Sequence, residues 1–297
     1  MKKHFYGGQA VIEGVMIRGI TNCVVAVRNK KKEIIINQIN LPSFTNSKLK
    51  KIPFIRGLFI LVEMMIIGFR SLSKSSEVLE ENQEQMSLLE KLFSYVFSTV
   101  FLLIVLSVFF LLPLFLSDRV VFFENNFVVN NIVEGIVRLI FFILYVYLIG
   151  LSKDIKRVFA YHGAEHKTIA AYEHNKKLNS SNIDSIQKYN KEHPRCGTSF
   201  IMTVILVSII LHVFIPREPL ILLYSSRLFL FPLVAGISYE LIRFSSITSD
   251  NIFSRLLSYP NILMQKLTTA EPDNEMVEVA ISAINESIRL DEANKIS

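Results

Sequence analysis

Residues 92–116 form a run of 25 positions without a charged or histidine side chain. At about 1.5 Å per residue a helix of that length reaches about 38 Å, more than the roughly 30 Å of a bilayer's hydrocarbon core. Such a stretch is hard to cover in a soluble domain, so an integral membrane protein is expected. Three further stretches are apolar enough to consider as spans: 136–151, which carries Arg138 near its start, 198–215, uncharged apart from His212, and 220–241, interrupted by Arg227. The expected architecture is mainly α, a polytopic membrane helical bundle of about four transmembrane helices.

The basic residues support that arrangement. Fourteen Lys and Arg precede residue 92, one lies in 117–135, nine in 152–197, one at the turn 216–219 and five after residue 241. Because Lys and Arg collect on the cytoplasmic side of a membrane, this alternation places both termini inside, at the cell (cytoplasmic) membrane. The net charge of +6 and the isoelectric point near 9.2 are accounted for by orientation, and no specific nucleic acid is expected. Two widely separated cysteines, Cys23 and Cys196, make no disulfide framework. Residues 1–19 lack a continuous apolar core, so no signal peptide is expected there.

Outside the spans, residues 1–52 form a cytosolic element. Its β-branched runs 24–27 and 34–39, separated by a charged stretch, predict a β-hairpin. Glycines 7, 8, 14 and 19 mark tight turns or close backbone approach. Segment 53–75 is apolar but contains Arg56 and Glu63 and has basic flanks, which favours an interfacial or re-entrant helix, or one packed on other helices. Residues 179–191 read as surface loop. The tail 242–297 holds apolar residues at Val277, Ala280, Ile281, Ile284 and Ile288, the period of an amphipathic helix.

The stretch YHGAEHKTIAAYE at 161–173 carries the strongest chemical signal in the loop 152–197. On a helix, His162 and His166 project from one face with Glu165 close by. Two imidazoles at that spacing can grip one divalent metal, and His-x-x-Glu-His is the order of a metallopeptidase motif whose carboxylate acts as base. Glu173 falls on the same face, as a third ligand only if the helix bends. The turn HPRCG at 193–197 adds His193 and Cys196, and a mixed imidazole and thiolate set suits zinc. The competing reading is a surface or hydrogen-bonded histidine set with a small buried thiol. Near the last span, Glu240 and Arg243 stand one turn apart: an acid facing the histidines, or an interfacial ion pair.

Taken together, GGQAVIEGVMIRG (7–19), PFIRGLFILVEMMIIGFRSL (53–72), YHGAEHKTIAAYE (161–173), HPRCGTSF (193–200), GISYELIR (236–243) and LTTAEPDNEMVEVAI (267–281) resemble the bacterial and plastid DUF1385 proteins. The resemblance covers nearly the whole chain. It implies a multi-pass membrane protein of a kind labelled metal-dependent enzymes. It marks His162, Glu165, His166, His193 and Cys196 as the metal or active-site set, with Glu13, Arg18 and Glu240 as further candidates. In LTTAEP, Ala270 stands where the family pattern has arginine, which removes any role for that side chain.

Two functions follow as expectations. The first is a membrane-embedded metal-dependent hydrolase at the cytoplasmic face, with His162, His166, His193 and Cys196 binding a divalent metal, zinc by donor type, and Glu165 and Glu240 as catalytic carboxylates. The second is a non-enzymatic biogenesis or assembly factor whose basic loops dock a translocon, a ribosome or another membrane protein. Transport has little support without homo-oligomerisation, since few ionisable residues lie within the spans.

Overall fold

The computed structural model describes residues 6–47, 52–80, 126–193, 196–197, 199–247 and 251–296, together with scattered helical positions between 89 and 117. Most of the run 92–116 therefore lies outside the described residues, as do Pro194 and Arg195.

The N-terminal element is a four-stranded antiparallel meander, with β1 (Gly7–Val11), β2 (Gly14–Arg18), β3 (Cys23–Arg28) and β4 (Ile34–Gln38) in sequential order. The expected hairpin is β3–β4, with Val25 opposite Asn37 and Val27 opposite Ile35. A second hairpin, β1–β2, precedes it and turns through Glu13 at φ 53. The central strands β2 and β3 read as near-continuous apolar runs because both faces of the sheet are covered there, so alternation disappears. One face (Val15, Ile17 and Ala26) packs on α3 (Lys153–Glu173) and α9 (Asn274–Ile296). The other (Met16, Val25 and Val27) packs on α1 (Ile55–Leu79) through Ile67. The result is a helix–sheet–helix sandwich with its core on both sides of the sheet.

The tail helix is α9, and Val277, Ala280, Ile281 and Ile284 bury the predicted face, with Ile288 at its edge. Its far end is tied to the β2–β3 turn by Asp291. That carboxylate accepts the Ile20 and Thr21 backbone N–H groups at 2.8 and 2.9 Å and the Asn22 amide at 2.8 Å.

Most of segment 53–75 lies in α1, which packs on the sheet and on the later helix Phe231–Ile247 rather than standing alone. Its isolated acid, Glu63, is buried and paired with Arg18 at 3.3 Å while accepting the Thr45 hydroxyl at 3.1 Å. Arg18 also donates to the carbonyl of Asn22 at 2.9 Å. Both are therefore structural ties between sheet and helix. Glu13 has a similar place, paired with Arg157 and receiving the Tyr161 hydroxyl at 3.3 Å, which anchors the first hairpin on α3.

The apolar helices depart from the four expected spans. The stretch 136–151 belongs to α2 (Phe127–Ile149), which starts nine residues earlier. The Asn126 side chain caps its first turn by accepting from Val128 and Val129. Glu134, which reads as loop in the sequence, pairs with Arg138 within the helix at 2.6 Å. The stretch 198–215 becomes α5 (Ser199–Val213), 15 residues or about 22 Å, too short to cross the hydrocarbon unaided. The stretch 220–241 splits into α6 (Leu220–Phe229) and α7 (Phe231–Ile247), with a bend of 43° between them. Among the described residues, then, α2 is the one helix long and apolar enough to cross a membrane, with α6–α7 a second if the bent pair is one span.

Within 152–197, α3 is among the most buried helices, and the stretch 179–191, expected as surface loop, contains α4 (Ile183–Ile186), which inserts Ile183 and Ile186 into the core. A further helix, α8 (Ile252–Thr268), precedes the tail helix and packs on α5 and α7.

A candidate metal centre

The imidazoles of His162 and His166, one turn apart on α3, lie with ring centroids 4.3 Å apart and are almost fully buried. His162 Nδ1 lies 2.8 Å from the Thr268 carbonyl, and His166 Nδ1 2.5 Å from that of Lys191. A carbonyl oxygen only accepts, so both Nδ1 atoms carry the proton and both Nε2 atoms carry a lone pair. Those lone pairs face one place. His162 Nε2 is 3.1 Å from Cys196 Sγ, whereas His166 Nε2 is buried without a hydrogen-bond partner. One donor atom from each of His162, His166 and Cys196 lies within 4.8 Å of the other two. This buried group can hold a metal ion. Outer-side N–H groups fixed by carbonyls are what set ring orientation and tautomer at histidine metal sites. Burial also pushes the His166 pKa down, which keeps the ring neutral at pH 7.

The parts that aim these side chains come from separate elements. Thr268 ends α8, and the following residues run along α3: the Ala270 N–H donates to the Phe159 carbonyl at 2.9 Å. A Cβ on Gly163 would lie 2.2 Å from the Ala270 carbonyl oxygen, so glycine is what permits this approach. The LTTAEP motif thus works at this point through its backbone, and an alanine at 270 suffices. Gln265 clamps the turn that carries Cys196, accepting from the His193 N–H at 2.7 Å and donating to the His193 carbonyl at 2.9 Å.

His193 was expected as a fourth ligand and does not join the converging group. Its Nε2 faces Glu173 Oε2 at 3.2 Å, and its ring centroid is 5.8 Å from that of His166. Glu173 is accordingly spent on His193. Glu165 lies beside the histidines, 3% exposed, and the Gly8 N–H donates to its carboxylate. Its second oxygen, Oε2, is buried without a hydrogen-bond partner. Burial raises the carboxyl's pKa, offset in part by the neighbouring His162 and His193 and by the Gly8 N–H. Glu240 lies elsewhere, at the crossing of α1 and α7, held by Arg56 Nε at 2.7 Å and by the Phe54 N–H at 3.0 Å. Glu240 is thus ion-paired, but with Arg56 of α1, a partner that the Glu240–Arg243 spacing did not indicate. Cys23 is also remote, buried on the sheet, with its thiol pushed up to about 12 by burial.

A cavity of about 580 Å³ opens beside the group, bounded by His162 and Cys196, by Gly8 and by apolar side chains such as Leu61, Met64 and Phe200. Its size is that of a small-molecule site, and its wall is mostly apolar.

Comparison with known proteins agrees with the motifs. The family model described as "Protein of unknown function (DUF1385)" matches residues 52–290. The chain belongs to this family. It is 37% identical over 311 residues to "Uncharacterized protein YqhQ" of Bacillus subtilis (strain 168), an alignment covering 98% of this chain and 96% of the relative. No solved structure matches the chain. The DUF1385 match begins at residue 52 and so includes the whole metal-ligand group, while the sheet lies before it.

Sequence reasoning missed Gln265, Thr268 and Lys191. Two of the three act through backbone carbonyls, which leave no mark on residue identity. Gln265 could have been suspected only as a buried amide next to the LTTAEP motif.

Proposed function

We propose that this DUF1385 protein is a metal-dependent hydrolase that acts on a substrate with an apolar part at the cytoplasmic face of the membrane. The observation that carries this reading is the convergence of two imidazole lone pairs and one thiol with both outer N–H groups already fixed. Three protein donors leave one tetrahedral position open, the pattern of catalytic rather than structural zinc sites. A divalent cation bound there would act as a Lewis acid toward a carbonyl or phosphoryl oxygen. His162, His166 and Cys196 would hold it. Glu165, buried beside the histidines with one oxygen that makes no hydrogen bond, is placed to take a proton. The apolar cavity would seat the substrate's hydrophobic portion.

The membrane reading has two supports, the apolar α2 and the alternation of basic segments. We take 92–116, α2, the stretch 198–215 that includes α5, and the bent pair α6–α7 as four spans, with both termini and the metal group on the basic, cytoplasmic side.

The test is Glu165→Gln, assayed in nanodiscs against a panel of lipid esters and hydrophobic peptides. The variant is expected to keep its metal at the wild-type ratio while hydrolysis falls by about 10²-fold or more. Turnover equal to wild type would end the role of Glu165. Wild type that carries metal but cleaves nothing in the panel would favour a docking factor with a structural metal.

A further inference from the structure

The charges inside the apolar helices are organised around one carboxylate. Glu134, 1% exposed within α2, accepts from Arg138 at 2.6 Å, from Arg227 of α6 at 2.6 Å and from Arg217 at 3.3 Å. Asn131, one turn earlier, accepts from Arg227 at 3.2 Å and donates to the carbonyls of His212 and Ile215 at 2.9 and 2.8 Å. Charged groups placed among apolar helices are costly and most often functional.

Beside this cluster lies a cavity of about 300 Å³ among α2, α5, α6 and α7. Its polar wall is Arg138, Arg227, Ser208 and His212, and the remainder is apolar, including Phe142, Val204 and Val234. The His212 side chain is 5% exposed and lines the cavity. Its Nδ1 is bound to the Ser208 carbonyl at 2.7 Å, and its Nε2 is buried with no hydrogen-bond partner. A cationic wall, an unsatisfied imidazole nitrogen and an apolar remainder match one chemistry: an anionic head attached to a hydrocarbon chain.

We propose that this cavity binds an acidic amphiphile. Its phosphate or carboxylate head would meet Arg138, Arg227 and His212, and its chain would lie along Val204 and Val234. The site is separate from the His162–Cys196 group and does not rest on the hydrolase reading. The same chemistry can come from an acidic phospholipid or from a free fatty acid.

The test is native mass spectrometry of the delipidated full chain in detergent. Four probes are titrated: dioleoyl phosphatidylglycerol, dioleoyl phosphatidylcholine, palmitate and inorganic phosphate. Phosphatidylglycerol or palmitate is expected to bind one to one, at least about tenfold tighter than phosphatidylcholine or inorganic phosphate. Whichever of the two binds more tightly identifies the source as lipid or free acid. Val204→Phe, which fills the apolar part and leaves every charge in place, is expected to weaken binding about tenfold or more, as is Arg227→Gln. If Arg227→Gln does not fold, Val204→Phe decides alone. Equal affinity for phosphatidylcholine overturns the proposal, as does inorganic phosphate binding as tightly as the better of phosphatidylglycerol and palmitate. So does unchanged binding by a folded Val204→Phe.

Discussion

Gly163→Ala is a sensitive probe of how the centre is held, because one methyl group meets backbone on the far side. The new Cβ would lie 2.2 Å from the Ala270 carbonyl oxygen, against a practical minimum of 3.0 Å, so the gap must open by at least 0.8 Å. The obstacle is main chain, and no rotamer change relieves it. Forcing extra volume into a packed contact costs about 1–3 kcal/mol. Stretching the Ala270 N–H bond to Phe159 adds about 0.5–1.5 kcal/mol. Alanine returns up to about 1 kcal/mol through its better helix propensity. With the full alanine gain, a net loss of about 0.5–3.5 kcal/mol results. The same movement carries the Thr268 carbonyl away from His162 Nδ1, so metal affinity should fall together with stability. Equilibrium denaturation in detergent measures the first effect and competition with a metal chelator the second. Gly7→Ala, where a Cβ meets nothing within 4 Å, is the control and should stay within about 0.5 kcal/mol. A Gly163→Ala protein as stable as wild type, with unchanged metal affinity, would refute the backbone account of the LTTAEP motif.

Docking of α9 should weaken in acid. Burial alone would raise the Asp291 pKa, but the Ile20 and Thr21 N–H groups hold it below its ordinary 3.8. A depressed carboxylate contributes stability that is present above about pH 4 and lost as pH falls through the folded-state value. Proteolysis or hydrogen exchange of residues 274–296 should therefore accelerate below pH 4 in wild type, and Asp291→Asn should show faster exchange already at pH 7. A four-span arrangement predicts that reporter fusions in 118–125 and at 216–219 face outward while both termini face the cytoplasm. An inward report from either of those two segments would contradict it.

The sequence made the α3 motif legible because spacing along a helix is local: His162, Glu165 and His166 need no knowledge of tertiary structure to share a face. Cys196 could be joined to them because both motifs sit in one inter-span segment. The exclusion of His193 was not legible, since it depends on Gln265 and Glu173 reaching it from α8 and α3. The tail helix was readable from Val277 to Ile288 for the same local reason as α3. The sheet was only half readable, because strands covered on both faces lose their alternation, and the hairpin through Glu13 has no Asn-Gly or Asp-Gly turn to announce it. In α5 and α6, His212 and Arg227 read as blemishes in spans, and Glu134 of α2 reads as loop. The Glu134–Arg227 ion pair and the Asn131 bond to the His212 carbonyl cross three elements and are invisible in a linear chain.

The central claim is the three-donor centre, and metal content tests it most directly. The full chain, made without a histidine tag or chelator, is analysed by elemental mass spectrometry alongside His166→Ala, Cys196→Ser and His193→Ala. The account predicts about one divalent transition metal per chain, zinc by donor type, lost in His166→Ala and Cys196→Ser but kept in His193→Ala. Folded wild type without metal, or metal lost as fully from His193→Ala as from His166→Ala, would contradict it.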